Sequence, residues 1–212
     1  MREAVAVIVD LDGTLAQMVH RRELFAVFAH NGLSLSRAGR IYKRVRNTVG
    51  FSLPHMLRAI KEEGYRLDRE STTRDFIKWL RSSLTLYRDV GPFIRAVRAQ
   101  RIPFIILTLG EEQFQRQKVE MSGIRPDKLI VAGSPHEKVE KLRRVVQERG
   151  RPLVCVDDDP RILDAVAREL PPYTVIPVRL QRGPYQHLKV RRSHWTIRSL
   201  LELPLLSNGR RK

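Results

Sequence analysis

From Asp89 onward the chain alternates short apolar runs with amphipathic stretches, and that rhythm confines it to few architectures. Ile102–Leu109 and Leu153–Val156 are almost unbroken apolar runs, and Leu129–Val131 and Thr174–Val178 are shorter ones. Such runs predict strands buried on both faces. Between them Phe93–Ala99, Glu111–Met121, Lys138–Arg149 and Arg161–Glu169 carry apolar residues at helical spacing. Strands alternating with helices build βαβ units, whose helices cover both faces of a parallel sheet. The expected class is α/β, a doubly wound parallel sheet with a Rossmann-like core. Ligands gather at the carboxyl ends of the strands in such sheets.

The amino-terminal stretch supplies one more strand. Ala4 to Val9 is apolar and ends in Asp10-Leu11-Asp12-Gly13-Thr14, so it delivers carboxylates to a loop at a strand's carboxyl end. From His20 to Leu84 the pattern is helical, with no strand signal. Leu24, Phe25 and Phe28 precede the breaker Asn31-Gly32. Ser36 is placed to cap a helix through Ile41 and Val45. Ser52 with Pro54 starts another, carrying Met56, Leu57 and Ile60 to Gly64. Thr72 or Thr73 caps a fourth, with Phe76, Ile77 and Leu80 on one face. The expected division is a catalytic core of residues 1–15 and 90–212 with an inserted helical cap at 16–89. Residues 207–212 form a basic polar tail expected to fray.

Four segments then occur in a telling order. They are Asp10-Leu11-Asp12-Gly13-Thr14-Leu15, Ile105-Ile106-Leu107-Thr108, Lys138, and Val154-Cys155-Val156-Asp157-Asp158 followed by Pro160. Each lies at a strand's carboxyl end or a helix start. The set resembles the four motifs of the haloacid dehalogenase superfamily in its phosphatase form. The insert between the first and second motifs is similar to that of the helical-cap, phosphoglycolate-phosphatase-like subgroup.

That resemblance implies a Mg²⁺-dependent phosphohydrolase. A phosphate ester beside several carboxylates is repelled unless a hard cation intervenes, and Mg²⁺ takes few carboxylates together with phosphate oxygens and water. Asp10 and one of Asp157 or Asp158 would bind it, with the main-chain carbonyl of Asp12. Asp158 is favoured, because it stands where relatives more usually have the Asp of a Gly-Asp pair. Asp10 would attack phosphorus to give an aspartyl-phosphate. Asp12 would protonate the leaving alcohol and later activate water. Thr108 and the Leu109 N–H would hold phosphoryl oxygens, and Lys138 would offset their charge. At about 100° per residue, Lys138 falls roughly 50° from the centre of its helix's apolar face and Lys141 roughly 110° away, so Lys138 is the inward one. Two departures stand out: Leu109 replaces a frequent polar residue, and Lys138 is not followed by Pro. A phosphotransferase or mutase would share the same residues. Haloacid dehalogenation has no use for Asp12 as an acid.

Charge adds a second hypothesis. The formal net charge is +17, and it is regional: residues 16–90 hold 15 basic and 7 acidic side chains, and residues 171–212 hold 9 and 1. Such regions attract polyanions, so the expected partners are a small phosphorylated substrate and, through non-specific contact, nucleic acid. A nucleic-acid-binding or end-processing phosphatase is the alternative function, resting on the basic cap and on Lys189, Arg191, Arg192 and Arg210 to Lys212. Arg21, Arg22, Arg40, Arg44 and Arg46 are cap residues that could face a substrate. The single cysteine, Cys155, excludes an internal disulfide and reads as a core thiol. Six scattered histidines lack metal-ligand spacing, and Trp79 and Trp195 read as packing anchors. No apolar run approaches the ~20 residues of a membrane span. The run from Ala4 to Val9 is too short for an export signal. The expectation is a cytoplasmic protein without membrane contact.

Overall fold

The computed structural model describes residues 6–19, 23–149, 152–171, 173–189, 191–192 and 194–204. The basic tail at 207–212, together with Arg21 and Arg22, lies outside them. The chain forms two compact units, one of residues 1–17, 86–109 and 125–212, the other of residues 18–85 and 110–124.

The first unit is a parallel sheet with helices packed on it. Its strands are β1 (Ala6–Val9), β4 (Phe104–Leu109), β5 (Lys128–Ala132), β6 (Leu153–Asp157), β7 (Val175–Leu180) and β8 (Trp195–Ile197), in the spatial order β5-β4-β1-β6-β7-β8. All five strand pairings of this sheet are parallel, with Val9 opposite Ile106 on one side and Val156 on the other. The chain builds outward from β1 through β4 to β5, then returns to β1's other side with β6. That reversal makes the carboxyl end of β1 a topological switch point, where two connections part and leave a crevice. Helices α5 (Val90–Ala99), α7 (Pro135–Arg149) and α8 (Pro160–Glu169) belong to this unit. One core beneath α7 and α8 joins Ile8, Ile105, Leu107, Val139, Leu142, Cys155, Leu163 and Val166. Burial, followed by the charge of Asp157, pushes the Cys155 thiol up to about 12, so it stays protonated and inert.

The second unit is helical. It contains α1 (Leu24–His30), α2 (Leu35–Thr48), α3 (Leu53–Glu62) and α4 (Arg69–Ser83). It also takes α6 (Glu112–Ser122), a helix that the alternation after Asp89 had assigned to the α/β part. The reason is aromatic: Phe114 of α6 packs edge-on to Phe51 at 5.0 Å and lies 6.2 Å from Phe76. Phe28, Ile41, Met56, Ile60, Phe76 and Leu80 fill the rest of that core.

Several local expectations are corrected. Helix α2 starts two residues earlier than Ser36 implies, with Ser34 extended at its N-cap. Helix α4 is capped by Asp68, whose carboxylate accepts the Glu70 and Ser71 N–H groups at 2.8 and 3.1 Å. The Thr72 and Thr73 hydroxyls instead donate back to the carbonyls of Asp68 and Arg69. Helix α7 begins at Pro135, not Lys138: the Ser134 hydroxyl accepts from Glu137 N–H and the Glu137 carboxylate accepts from Gly133 N–H. Two short strands, β2 (Ala16–Met18) and β3 (Leu84–Leu86), pair where a helical reading saw none. Trp79 is buried, but Trp195 on the edge strand β8 is half exposed and anchors no core. No helix among the described residues is long and apolar enough to cross a membrane.

Candidate active site

The switch point carries an acidic cluster. Asp10 follows β1, Asp157 ends β6 and Asp158 follows it, all three buried, with ligand oxygens that lie within 4.8 Å of one another. Register explains the meeting: Val9 pairs with Val156, so the next residue of each strand, Asp10 and Asp157, emerges side by side. Asp10 donates its N–H to the Val156 carbonyl at 3.0 Å, fixing that level. On β1's other side Val9 pairs with Ile106, so Thr108 stands one step beyond Asp10's level, at the end of β4. Thr108 is fully buried and Leu109 half-buried.

One cation enters. Lys138 Nζ donates to Asp10 Oδ1 at 2.6 Å and to Asp157 Oδ2 at 2.7 Å. Both carboxylates hold its pKa above the usual lysine value despite burial, so it is charged. Lys141 points elsewhere, pairing with Glu137 at 2.7 Å and donating to the Val131 carbonyl. A buried ammonium without partners would be costly, and here two carboxylates satisfy it.

The negative charge is not balanced. Burial pushes Asp158 up to about 8, and the charges of Asp10 and Asp157 push in the same direction. Burial likewise pushes Asp10 up to about 7, against the opposing pull of Lys138. Three carboxylates and one ammonium in a low-dielectric pocket leave an excess that protons or a cation must neutralise.

Hydrogen bonding distinguishes the two neighbouring aspartates. Asp157 is engaged at both oxygens, by Lys138 and by the Asp159 N–H at 2.9 Å. Asp158 is held at one: Thr14 Oγ donates to Oδ1 at 3.2 Å and accepts from the Asp158 N–H at 3.1 Å. Asp158 Oδ2 is buried with no hydrogen-bond partner among the described residues. A buried carboxylate oxygen without a partner, on an aspartate clustered with two others, fits a hard divalent cation, which prefers oxygen ligands.

The loop that carries Asp12 is tight. Leu15 and Ala16 N–H groups both return to the Leu11 carbonyl, and Gly13 N–H donates to Ala16 O at 2.7 Å. Gly13 has φ +84°, and a Cβ there would collide with the Asp158 carboxylate, so only glycine fits. Asp12 is half-buried and near enough for its charge to raise the Asp10 pKa. Of the residues singled out by sequence, Asp10, Asp157, Asp158 and Lys138 touch or cluster directly. Thr108 and Leu109 share their end of the sheet. Thr14 has no assigned role in the sequence motif, yet its hydroxyl holds Asp158. Arg182 and Gly183, which also reach this loop, carry no local sequence signal.

No family model matches the chain, and no curated protein matches it in sequence. Solved structures do resemble it in shape. A protein from Burkholderia xenovorans described as a haloacid dehalogenase-like hydrolase superposes with a TM-score of 0.70 at 20% identity, over 93% of this chain and 94% of that one. The fold is that of the haloacid dehalogenase-like hydrolases. The L-2-haloacid dehalogenase PA0810 superposes at 0.61 with 18% identity, over 94% and 97% of the two chains. CbbY from Rhodobacter sphaeroides, solved with xylulose 1,5-bisphosphate, gives 0.58 at 17% identity, over 95% and 96%. Dehalogenases and phosphate-ester binders thus share this fold, and the chemistry must be argued from the site.

Proposed function

We propose that the chain is a Mg²⁺-dependent phosphohydrolase that cleaves a small phosphomonoester through an aspartyl-phosphate on Asp10. The observation that carries this is the charge imbalance at the switch point, three buried carboxylates against Lys138, with Asp158 Oδ2 left without a partner. Asp10, Asp158 and the Asp12 main-chain carbonyl would hold the cation, which when bound would neutralise the carboxylates and the phosphoryl oxygens. Asp157 is better suited to steering Lys138, since both of its oxygens are engaged.

The chain's own groups then supply the rest. Asp10 is fixed through Lys138 at Oδ1, leaving its other oxygen to attack phosphorus as the ester P–O bond breaks. The departing alkoxide takes a proton from Asp12. Asp12 next removes a proton from water, which attacks the aspartyl-phosphate, and inorganic phosphate leaves with Asp10 restored. Thr108 and the Leu109 N–H would hold the equatorial oxygens. A halide needs no proton on leaving, whereas an alkoxide does, and Asp12 favours the phosphatase over the dehalogenase reading. The test is phosphate release from an aryl phosphate, with and without Mg²⁺. Turnover that needs the metal and vanishes in Asp10→Asn is expected. An inactive wild type across nucleotides, sugar phosphates and phospho-acids would refute the reading.

A second reading, nucleic-acid contact, is favoured by α4. Arg69, Arg74, Lys78 and Arg81 are exposed along it and make no ion pair among the described residues. Neutralising phosphates releases counterions, so affinity should fall steeply with salt. Binding of single-stranded DNA that is absent at low salt would exclude it.

A further inference from the structure

We infer that Arg182 is a positioning residue for the proposed cation site, acting on Asp158 through Thr14; this rests on the phosphohydrolase reading above. Arg182 follows β7 by two residues and folds back on the loop after Asp10. Its Nε donates to the Thr14 carbonyl at 3.1 Å, and its Nη2 donates to the same oxygen. Nη1 donates to both oxygens of Asp89, at 2.8 and 2.9 Å. The guanidinium also stacks over the Tyr87 ring, 4.0 Å from its centroid. Its side chain is only 13% exposed, so the ion pair with Asp89 is shielded from solvent.

Each end of this clamp is itself fixed. Asp89 accepts the Leu200 N–H at 2.8 Å and the Ser199 hydroxyl at 3.0 Å. Thr14 turns its hydroxyl to Asp158, donating to the carboxylate and accepting from the amide. The carbonyl that Arg182 grips and the hydroxyl that holds Asp158 belong to one residue, so fixing the first sets the direction of the second. Gly183 completes the arrangement. At φ +72° a Cβ would fall on the Asp158 carboxylate and 2.9 Å from both the Cα and the carbonyl oxygen of Gly13. The segment after β7 therefore does two things: Arg182 aims Thr14, and Gly183 lets the backbone close on Asp158 without covering it with a side chain.

Arginine suits the task because its planar fork serves two acceptors at once. Lysine could reach one and not both. A residue serving only to tie down the segment after β7 would affect stability and leave Asp158 undisturbed.

The experiment compares wild type with Arg182→Met and Arg182→Lys in two measurements that need no turnover. The first is amide exchange at Asp158 in metal-free protein, read by NMR. The second is the dissociation constant for Mn²⁺ alone, read from the free-ion EPR signal. Arg182→Met should speed Asp158 exchange at least 10-fold and weaken Mn²⁺ binding 5- to 10-fold, with Arg182→Lys intermediate in both. If Arg182→Met does not fold, Arg182→Lys decides by the same two signs. A folded variant with both quantities within twofold of wild type overturns the proposal. A wild type that binds no Mn²⁺ removes the metal-dependent reading, and the Asp158 exchange then decides the clamp by itself.

Discussion

The two units solve opposite burial problems. The helical unit hides aromatic and aliphatic side chains, Phe28, Phe51, Phe76 and Trp79 among them, and leaves most of its basic residues in water, Lys118 over the Phe114 ring being a buried exception. The α/β unit gathers buried ionisable groups, Asp10, Asp157, Asp158 and Lys138, into one cluster at the edge of its apolar core. The first arrangement is optimised for stability. The second holds charge where it is costly, which a protein tolerates only where the charge is used. Paired substitutions separate the two. Asp10→Asn should lower turnover by roughly 10⁴-fold yet raise the melting temperature of the metal-free protein, because a destabilising buried carboxylate is gone. Phe76→Ala should do the converse. Phe76 is fully buried between Phe51, Trp79 and Phe114, and losing it should cost about 3–5 kcal/mol. Thermal melts beside phosphatase assays check both, and an Asp10→Asn protein less stable than wild type would break the contrast.

The same contrast marks what the sequence disclosed. Five of the six α/β strands were legible because buried parallel strands are written as apolar runs, whereas the short, half-exposed β8 at the sheet's edge carries no such run. Asp10 and the Asp157-Asp158 pair were legible because each directly follows such a run. Lys138 was legible from the periodicity of α7, although that helix starts three residues earlier, at Pro135. The helical unit was read less well. Asp68 caps α4 eight residues before Phe76, the first apolar position of that helix, and threonines nearer Phe76 compete for the same reading. Helix α6 went to the wrong neighbours because periodicity shows that a face is apolar and not what covers it. Arg182 was invisible for a plainer reason: its partner Thr14 is 168 residues away, and one arginine among many has no local mark.

Acid and base should also tell the units apart. Asp158 is raised to about 8 and Asp10 to about 7, whereas an unfolded chain titrates both near the ordinary aspartate value of 3.8. Between those limits the metal-free native state binds more protons than the unfolded state, so its stability falls as pH rises. The contribution is complete below pH 3.8 and is lost on passing through about 7 to 8. Metal-free protein should lose several kcal/mol between pH 5 and 8.5, and Mg²⁺ should return it by binding the ionised form. Asp158→Asn should flatten the curve. Denaturant titrations at several pH values measure it, and a stability that rose over this range in metal-free wild type would contradict the charge imbalance.

The smallest contrast removes one hydroxyl from each unit. Ser52 is the N-cap of α3, its Oγ accepting the His55 N–H at 3.4 Å, with Pro54 already setting the helix start. Ser52→Ala should therefore cost about 0.5–1 kcal/mol and nothing else. Thr14 makes two bonds to one buried aspartate, and Thr14→Val keeps its shape while deleting both. The Asp158 amide and carboxylate would be left unsatisfied, at about 1–3 kcal/mol. The informative quantity is where each loss is felt. Ser52→Ala should lower stability with the Mg²⁺ requirement for turnover unchanged, while Thr14→Val should raise that requirement several-fold. Were Ser52→Ala to shift the Mg²⁺ requirement as Thr14→Val does, the hydroxyl at Thr14 would have no special claim on Asp158. Thr14→Ser, which restores the oxygen and drops only a methyl, should recover the wild-type requirement, because it is the oxygen and not the bulk that Asp158 needs.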